Sequence, residues 1–294
     1  MFQRRAGFSL VEMLVVIGIV GVLVGLTIPA VQSSREAASK AACSNQLRQM
    51  GIGLHTFHDV QHQFPPLPSR GQKDPNRILS WMAQILPQMG HFSLYEVSEA
   101  ACAADSDGMH NPPHIGFATV IPSYLCPSDV RLATPLVDSF NNRAGFTSYV
   151  GISGGFDPRA MRGLLGALHG GARIKDFRDG TSSTIMVGER PPPDNLQAGW
   201  WYPGFEGEGI SMHGPTNRIS LGSIQLPQVH CNIKGTFGPG RLDNPCDRFH
   251  LWSLHRGGAN FLFADGSVRF LSYESEPIIL SLVSLDGGEI VELP

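Results

Sequence analysis

The chain has 294 residues, of which 42% are hydrophobic and 16% charged, and its formal net charge at pH 7 is −3. This length can bury a sizeable core as one large domain or two small ones, and the 34 glycines and 22 prolines indicate a compact body rich in turns. The small negative charge and the absence of a lysine and arginine stripe exclude general attraction to nucleic acid, so we expect no DNA or RNA partner.

The first predicted element is a long apolar helix near the N-terminus. Arg4 and Arg5 precede residues 13–34, a run of 22 residues without a charge and close to the roughly 20 that cross a bilayer as helix. A secretory signal would have a shorter apolar core with a small-residue cleavage site behind it. The two arginines place the N-terminus in the cytoplasm and the rest of the chain outside. The run therefore predicts a single-pass anchor.

Glu12 stands at the edge of this apolar run, where a carboxylate is costly and usually marks a function. It argues against a plain anchor. The surrounding sequence, Gly7-Phe8-Ser9-Leu10-Val11-Glu12, resembles the type IV prepilin processing motif of pilins and type II secretion pseudopilins. The resemblance implies cleavage after Gly7 and methylation of the new Phe8 amine by a prepilin peptidase. It also implies that the Glu12 carboxylate meets the Phe8 amine of a neighbouring subunit.

The helical pattern continues beyond the apolar run. Its apolar residues recur at spacings of 4, 3, 4 and 3, which predicts one buried face of an amphipathic helix; they are Cys43, Leu47, Met50, Leu54 and Phe57. A helix from Phe8 to about His58 would be roughly 75 Å long, and Phe64-Pro65-Pro66 would end it. Periodicity and resemblance thus predict the same α+β, pilin-like fold: a long N-terminal helix, transmembrane and then amphipathic, packed on a loop-rich, largely antiparallel β body.

Shorter elements are predicted within the body. Residues 78–89 indicate a short helix broken at Pro87, whereas residues 191–193 and 199–222 indicate an inserted loop region rich in proline and glycine. The runs that resemble strands are residues 147–152, 184–188, 259–264 and 267–271.

A second resemblance extends over nearly the whole chain. His255 is followed after nine residues by Asp265-Gly266, and further motifs precede it: Cys43-Ser44-Asn45-Gln46-Leu47, Leu125-Cys126-Pro127-Ser128-Asp129, Thr147-Ser148-Tyr149-Val150-Gly151, Asp179-Gly180-Thr181-Ser182-Ser183-Thr184 and Val187-Gly188-Glu189. Together they are similar to a large bacterial family of prepilin-type proteins with a C-terminal His–nine residues–Asp-Gly domain. The function of that family is unassigned, although an extracellular solute-binding role has been attached to it without a mechanism.

These observations divide the chain into four parts. Residues 1–7 would be the leader, 8–34 the transmembrane half of the helix, 35–62 its amphipathic half, and 63–294 the extracytoplasmic α+β domain. We expect a non-enzymatic pilin-like or pseudopilin-like subunit of the bacterial inner membrane, with its body in the periplasm or at the cell surface. Its partners would be other pilin-like subunits, prepilin peptidase, and the type II secretion or type IV pilus-like machinery. The alternative is a membrane-tethered protein that binds a solute or polysaccharide.

Five cysteines allow at most two internal disulfides, and oxidation is permitted outside the membrane. A Cys43–Cys126 disulfide is expected because both residues fall in motifs that the family resemblance carries. Cys231–Cys246 is the expected second disulfide, closing a short loop rich in glycine and proline. Cys102 is left over.

The His–nine residues–Asp-Gly segment is predicted to be a structural hairpin. Asp265-Gly266 between two strand-like runs indicates a two-residue turn, in which Phe261 would face Phe270 and Phe263 would face Val268. His255 would lie up to about 33 Å from Asp265 along an extended strand, so the two should not form a catalytic dyad. Continued, the same register places His255 opposite Glu276 and near Glu274, so we expect one of these carboxylates, or a backbone group near them, to hold His255 in a structural role.

Weaker candidates for chemistry have structural alternatives. His55, His58 and His62 could share one helix face and bind a metal, or they could interact with exposed carbonyls at the helix end. Ser153 matches the Gly-x-Ser-x-Gly elbow of hydrolases, but Gly154-Gly155 is a poor helix start. Trp200-Trp201-Tyr202 could form a binding platform or belong to the core. We expect no cofactor; calcium is the alternative, since Asp105-Ser106-Asp107-Gly108 resembles the opening of a calcium loop but lacks the downstream glutamate.

Overall fold

The computed structural model of the protein describes residues 9–66, 78–152, 171–203, 222–225, 230–233, 235–285 and 288. The predicted processing residues Gly7 and Phe8, the hydrolase candidate Ser153 and most of the predicted 199–222 loop lie outside these ranges. The first element is helix α1 (Leu10–Gln61), which has 52 residues and is therefore about 78 Å long. It ends at His62, whose backbone is left-handed with φ 58° and whose N–H donates to the His58 carbonyl at 2.7 Å. The long predicted helix is confirmed.

The body consists of short helices and strands. The further α-helices are α2 (Trp81–Gln84), α3 (Phe92–Ala104) and α4 (Glu276–Leu282). The strands are β1 (Leu136–Val137), β2 (Arg143–Ala144), β3 (Tyr149–Gly151), β4 (Ile185–Glu189), β5 (Gly222–Gln225), β6 (His230–Ile233), β7 (Gly258–Phe263) and β8 (Val268–Ser272). Single turns of 3₁₀ helix connect them at Ile115–Ala118, Pro122–Tyr124, Val130–Ala133, Ile174–Asp176, Thr181–Ser183, Pro245–Phe249 and Tyr273–Ser275.

One antiparallel sheet organises the body. It has four strands in the order β3-β4-β7-β8, while β1-β2 and β5-β6 form separate two-stranded pairs. The four strand-like runs of the sequence are all strands of this main sheet, and the α+β prediction is confirmed. The helix predicted over residues 78–89 is shorter than expected: α2 ends at Gln84, and hydrogen-bonded turns carry the chain on to Gly90.

Both faces of the main sheet are covered. The apolar face of α1 packs in one hydrophobic cluster with Leu262, whereas Phe261 and Phe263 point into a second cluster that includes α4. Every residue of the central strands β4 and β7 is therefore buried. The residues predicted to form the buried face of α1 do so: Cys43, Leu47, Met50 and Leu54 are fully buried, and Phe57 is partly buried.

The predicted register of the β7–β8 hairpin is wrong by one residue. Phe261 lies opposite Arg269, and Phe270 lies opposite Asn260. The Asp265-Gly266 turn contains three residues, 264–266, instead of two. The Gly266 N–H donates to the Phe263 carbonyl, and the Phe263 N–H donates to the Ser267 carbonyl. Gly266 has φ 82°, the left-handed conformation of a hairpin with a glycine bulge. The extra residue shifts the pairing and moves Phe270 to the α1 side of the sheet.

The interpretation of Trp200-Trp201-Tyr202 as a binding platform is also wrong. All three side chains are buried, at 1%, 0% and 0% exposure. They lie in an irregular segment instead of one strand, so consecutive side chains can all point inward. The indole of Trp201 donates to the Thr119 carbonyl at 2.7 Å, and the Tyr202 hydroxyl lies 2.9 Å from Nδ1 of His114. The segment is part of the core.

Candidate functional site

The N-terminal half of α1 is an apolar rod that no other part of the described chain covers. Its large apolar side chains from Leu10 to Val31 are all exposed. Within the described ranges α1 alone is long and apolar enough to cross a membrane, judged by length and composition. Glu12 lies in its first turn, where Oε2 accepts a hydrogen bond from the Ser9 backbone N–H at 2.8 Å. No cation among the described residues pairs with the Glu12 carboxylate.

A disulfide joins α1 to the body just beyond this rod. Cys43, on α1, is bonded to Cys126, which follows the 3₁₀ turn Pro122–Tyr124, and their Cα atoms are 5.1 Å apart. Cys231 and Cys246 form the second disulfide, between β6 and the turn Pro245–Phe249. Both expected pairings are present, and Cys102 is buried outside them.

His255 lies beside the Cys43–Cys126 disulfide and connects α1 to the sheet. Its Nδ1 is 3.1 Å from Oε1 of Glu36 on α1, and its Nε2 is 3.5 Å from Oε1 of Glu189 at the end of β4. The same Nε2 is 3.5 Å from the Cys126 sulfur. Because both ring nitrogens face carboxylates, the arrangement favours an imidazolium that donates on both sides.

The predicted partners of His255 are therefore wrong, although a carboxylate does hold the ring. Strand β8 ends at Ser272, and the chain then turns into 3₁₀ helix and α4 instead of continuing the hairpin. Glu274 is exposed on that turn, and Glu276 accepts a hydrogen bond from the Thr236 N–H at 3.3 Å. The Asp265 carboxylate instead accepts from the Ser267 N–H at 2.8 Å. His255 and Asp265 thus have separate partners, as expected of a hairpin that is not a dyad.

Glu189 is held in the core by the strand next to it. Its two carboxylate oxygens accept hydrogen bonds from the Asn260 backbone N–H at 2.7 Å and from the Asn260 side-chain amide at 3.0 Å. Glu189 is 1% exposed, and a buried carboxylate is tolerated only when it is hydrogen-bonded and paired. The sequence contains this residue in the Val-Gly-Glu motif, but its pairing with His255 was not predicted. Glu36, 219 residues from His255 in the chain, was missed as well.

The spacing of the His–nine residues–Asp-Gly motif matches the length of helix that the hairpin follows. At one end His255 contacts Glu36. At the other end, a Cβ built on Gly266 would lie 3.8 Å from Nε2 of His55. The helix rises about 28 Å between residues 36 and 55, and ten strand steps span up to about 33 Å. The hairpin therefore lies along the C-terminal half of α1, from about residue 36 to residue 55, and contacts the helix at both ends.

A glycine allows the helix and the hairpin to pack closely near the turn end of this contact. A Cβ built on Gly51 of α1 would lie only 2.8 Å from Cδ1 of Leu262 on β7. The helix and the hairpin therefore also touch between His255 and the Asp265-Gly266 turn.

The cluster around His255 also has the composition of a metal site. One ligand atom each from Cys43, Cys126, Glu189 and His255 lies within 4.8 Å of the others. Thiolate, imidazole and carboxylate are the ligands of zinc. Here, however, the two sulfurs are bonded to each other and neither is a thiolate, so the donors do not fit a metal in this oxidation state.

The three histidines proposed as a metal site have other surroundings. The rings of His55 and His58 pack against Phe64, with centroids 5.6 and 4.8 Å away. Nε2 of His58 accepts a hydrogen bond from the Ile174 N–H at 3.4 Å, whereas His62 is the exposed residue that ends α1. The rings of His55 and His58 and the backbone of His62 therefore help to close the end of the helix.

The acidic loop considered for calcium uses its carboxylates locally. Oδ1 of Asp105 accepts from the Asp107 N–H at 2.9 Å, and Oδ2 of Asp105 lies 3.1 Å from Nδ1 of His110.

The surroundings of His255 should make the stability of the body depend on pH. Burial opposes protonation of the ring, but the hydrogen bonds and negative charges of Glu189 and Glu36 outweigh it and raise the pKa of His255 above its usual 6.5. In the unfolded chain the ring has the ordinary pKa of about 6.5. The stabilisation is thus complete below that value and is lost as the pH rises through the higher folded pKa.

We therefore expect His255→Gln to lower the free energy of unfolding most near pH 6 and progressively less toward pH 9. Urea unfolding of the full chain in detergent, followed by tryptophan fluorescence at several pH values, measures this difference. Lys40 and Tyr149 also interact with Glu189. Because the wild-type protein and the variant both contain these residues, their contribution largely cancels from the difference in free energy of unfolding. His91→Gln, a histidine away from the cluster, should leave the pH dependence unchanged. If His255→Gln lowered the free energy of unfolding by the same amount from pH 6 to pH 9, His255 would not be an imidazolium in the folded protein.

Two family models match the chain. The model described as "Protein of unknown function (DUF1559)" matches residues 32–277, and the model described as "Prokaryotic N-terminal methylation motif" matches residues 2–28. The first match contains the whole cluster around His255, and the second contains Gly7, Phe8 and Glu12. No curated protein and no solved structure matches the chain.

Proposed function

The chain belongs to the DUF1559 family of proteins of unknown function and carries a prokaryotic N-terminal methylation motif, and from this premise we propose that it is a pilin-like subunit of a type II secretion or type IV pilus-like apparatus. Prepilin peptidase would cleave it after Gly7 and methylate Phe8. Helix α1 would anchor it in the inner membrane beside other pilin-like subunits, with the body in the periplasm or at the cell surface.

The carboxylate of Glu12 is the observation that carries this proposal. It lies on an exposed apolar helix and has no cationic partner within the described part of the chain. A lone charge at the centre of a bilayer costs about 2.5–3.5 kcal/mol even on the most permissive scale, and the cost falls toward the bilayer surface. Pairing with the terminal amine of a neighbouring subunit would offset that cost and set the register between the two helices.

The remaining features support a structural role outside the cytoplasm. Arg4 and Arg5 favour a cytoplasmic N-terminus, and two disulfides suit an oxidising compartment. His255 is engaged by Glu36 and Glu189 in a buried junction, so it is not available as a base for a substrate. We therefore assign the His–nine residues–Asp-Gly hairpin the task of holding α1 at a set position on the body, without catalysis.

Processing is the direct test of the proposal. Protein purified from its native host should begin at Phe8, carry one extra methyl group on that amine, and have a formal net charge of −5 instead of −3, because residues 1–7 contain two arginines. Mass spectrometry of the intact protein and of its N-terminal peptide measures the new N-terminus and the methyl group, and the change in charge follows from the loss of the two arginines. The same chain expressed in a host without prepilin peptidase should keep its leader. An intact Met1 N-terminus in the native host would contradict the proposal.

A further inference from the structure

A cavity lies where α1 first meets the body. Its volume is about 750 Å³, within the range of small-molecule sites. One wall is α1 and the other is formed by loops around Cys126 and His255; the lining residues are Pro29, Gln32, Ser33, Arg35, Glu36, Ser39, Ser128, Leu254 and Arg256.

Two arginines give this cavity an excess of positive charge. Arg35 and Arg256 are both exposed, and neither has an ion pair or hydrogen bond within the described ranges. The one carboxylate in the lining, that of Glu36, is 39% exposed and pairs through Oε1 with the buried ring of His255, which is favoured in its charged form. Two guanidinium groups are therefore free to bind an anion in the same cavity.

The length of α1 places the cavity at the membrane surface. From Met13 to Arg35 the helix rises about 33 Å, slightly more than the roughly 30 Å of a bilayer's hydrocarbon core. The stretch of α1 that lines the cavity, from Pro29 to Ser39, is about 15 Å long; it overlaps the last turns of that span and continues to the first turn against the body. The lining residues therefore lie at the level of the lipid headgroups.

We propose that this cavity binds the headgroup of an anionic phospholipid, with the phosphate between Arg35 and Arg256. Guanidinium groups match phosphate oxygens in geometry and charge. The hydroxyls of Ser39 and Ser128 add donors for a phosphate or glycerol group, and Pro29 faces the start of the acyl chains. An anionic lipid is favoured because the cationic headgroup of a zwitterionic lipid would meet the same arginines. This inference rests on membrane anchoring by α1 and not on assembly with other subunits.

Lipid retention by the solubilised full chain tests the proposal. The protein is reconstituted with equal amounts of phosphatidylglycerol and phosphatidylcholine, extracted in mild detergent, and its bound lipid is counted by native mass spectrometry. We expect phosphatidylglycerol to be retained preferentially, and Arg35→Gln/Arg256→Gln to reduce its retention by roughly a hundredfold, the effect of losing one charge-assisted hydrogen bond from each arginine. Arg48→Gln removes an exposed arginine about 20 Å further along the same helix and should change nothing.

Three results would overturn the proposal. The first is equal retention of phosphatidylglycerol and phosphatidylcholine. The second is an equal loss of phosphatidylglycerol retention in Arg48→Gln and in the double variant. The third is displacement of the lipid by millimolar inorganic phosphate, which would indicate a site for free anions. Unchanged tryptophan emission in the double variant would show that its body is folded. Glu12→Ala should retain phosphatidylglycerol normally, so failure of lipid binding and failure of subunit assembly can be told apart.

Discussion

Replacing Glu12 with alanine should reduce recovery of the protein in complexes with other pilin-like subunits by about a hundredfold while leaving it in the membrane. Breaking a buried charge pair by removing one partner costs about 3–5 kcal/mol, and 3 kcal/mol corresponds to roughly a hundredfold in association. Insertion should not suffer, because alanine is easier to bury in a bilayer than glutamate.

Co-purification from the native host in mild detergent, with membrane fractionation alongside, measures both effects. Glu12→Gln keeps the size of the side chain and removes the charge, so it should behave like Glu12→Ala if charge pairing is the cause. Glu96→Ala removes an exposed carboxylate from α3 of the body and is the matched control. Unchanged co-purification of Glu12→Ala would favour the alternative of a membrane-tethered binding protein, which needs no neighbour for Glu12.

Removing the Cys43–Cys126 disulfide should lower the free energy of unfolding of the body by roughly 4–5 kcal/mol. The two cysteines are 83 residues apart in sequence, and the chain-entropy model gives that range for a loop of this length. The disulfide also lies against the junction of His255 with Glu36 and Glu189, so its loss should loosen α1 on the body. The second disulfide closes a separation of only 15 residues and should contribute roughly 3 kcal/mol.

The comparison uses two double variants, Cys43→Ala/Cys126→Ala and Cys231→Ala/Cys246→Ala. Urea unfolding followed by fluorescence suits this protein, because all of its four tryptophans are in the body and three of them, Trp81, Trp200 and Trp201, belong to the cluster that packs on α1. A larger loss in the second variant than in the first would mean that the disulfide to α1 is not the main constraint on the body.

Several features of the fold follow from sequence because they depend on residues that are close together in the chain. Apolar residues spaced by three and four predict the buried face of α1, and each of Cys43, Leu47, Met50 and Leu54 is buried. The Asp265-Gly266 turn was predicted from its composition and is present. Its type was not predicted, because a two-residue turn and a three-residue turn with a glycine bulge share the same residues.

Partners distant in the chain were predictable only where chemistry limits the choice. Motif resemblance selected Cys43–Cys126, and closure of a short loop rich in glycine and proline selected Cys231–Cys246; the structure contains both disulfides. His255, by contrast, can pair with any carboxylate that the fold brings to it. Continuing the antiparallel pairing of the hairpin predicts Glu274 and Glu276 as the partners of His255, but β8 ends at Ser272.

The sequence by itself determined the membrane anchor, the buried face of α1 beyond the anchor and the strands of the main sheet, because a long apolar run and a regular apolar spacing are local properties of the chain. Tertiary structure alone decided that His255 lies between Glu36 and Glu189, which are 219 and 66 residues away in the chain. An ion pair of this kind forms only where burial removes water from the imidazole and hydrogen bonds from Asn260 hold the carboxylate in place. Neither the burial of the imidazole nor the position of the carboxylate can be predicted from the residues next to His255.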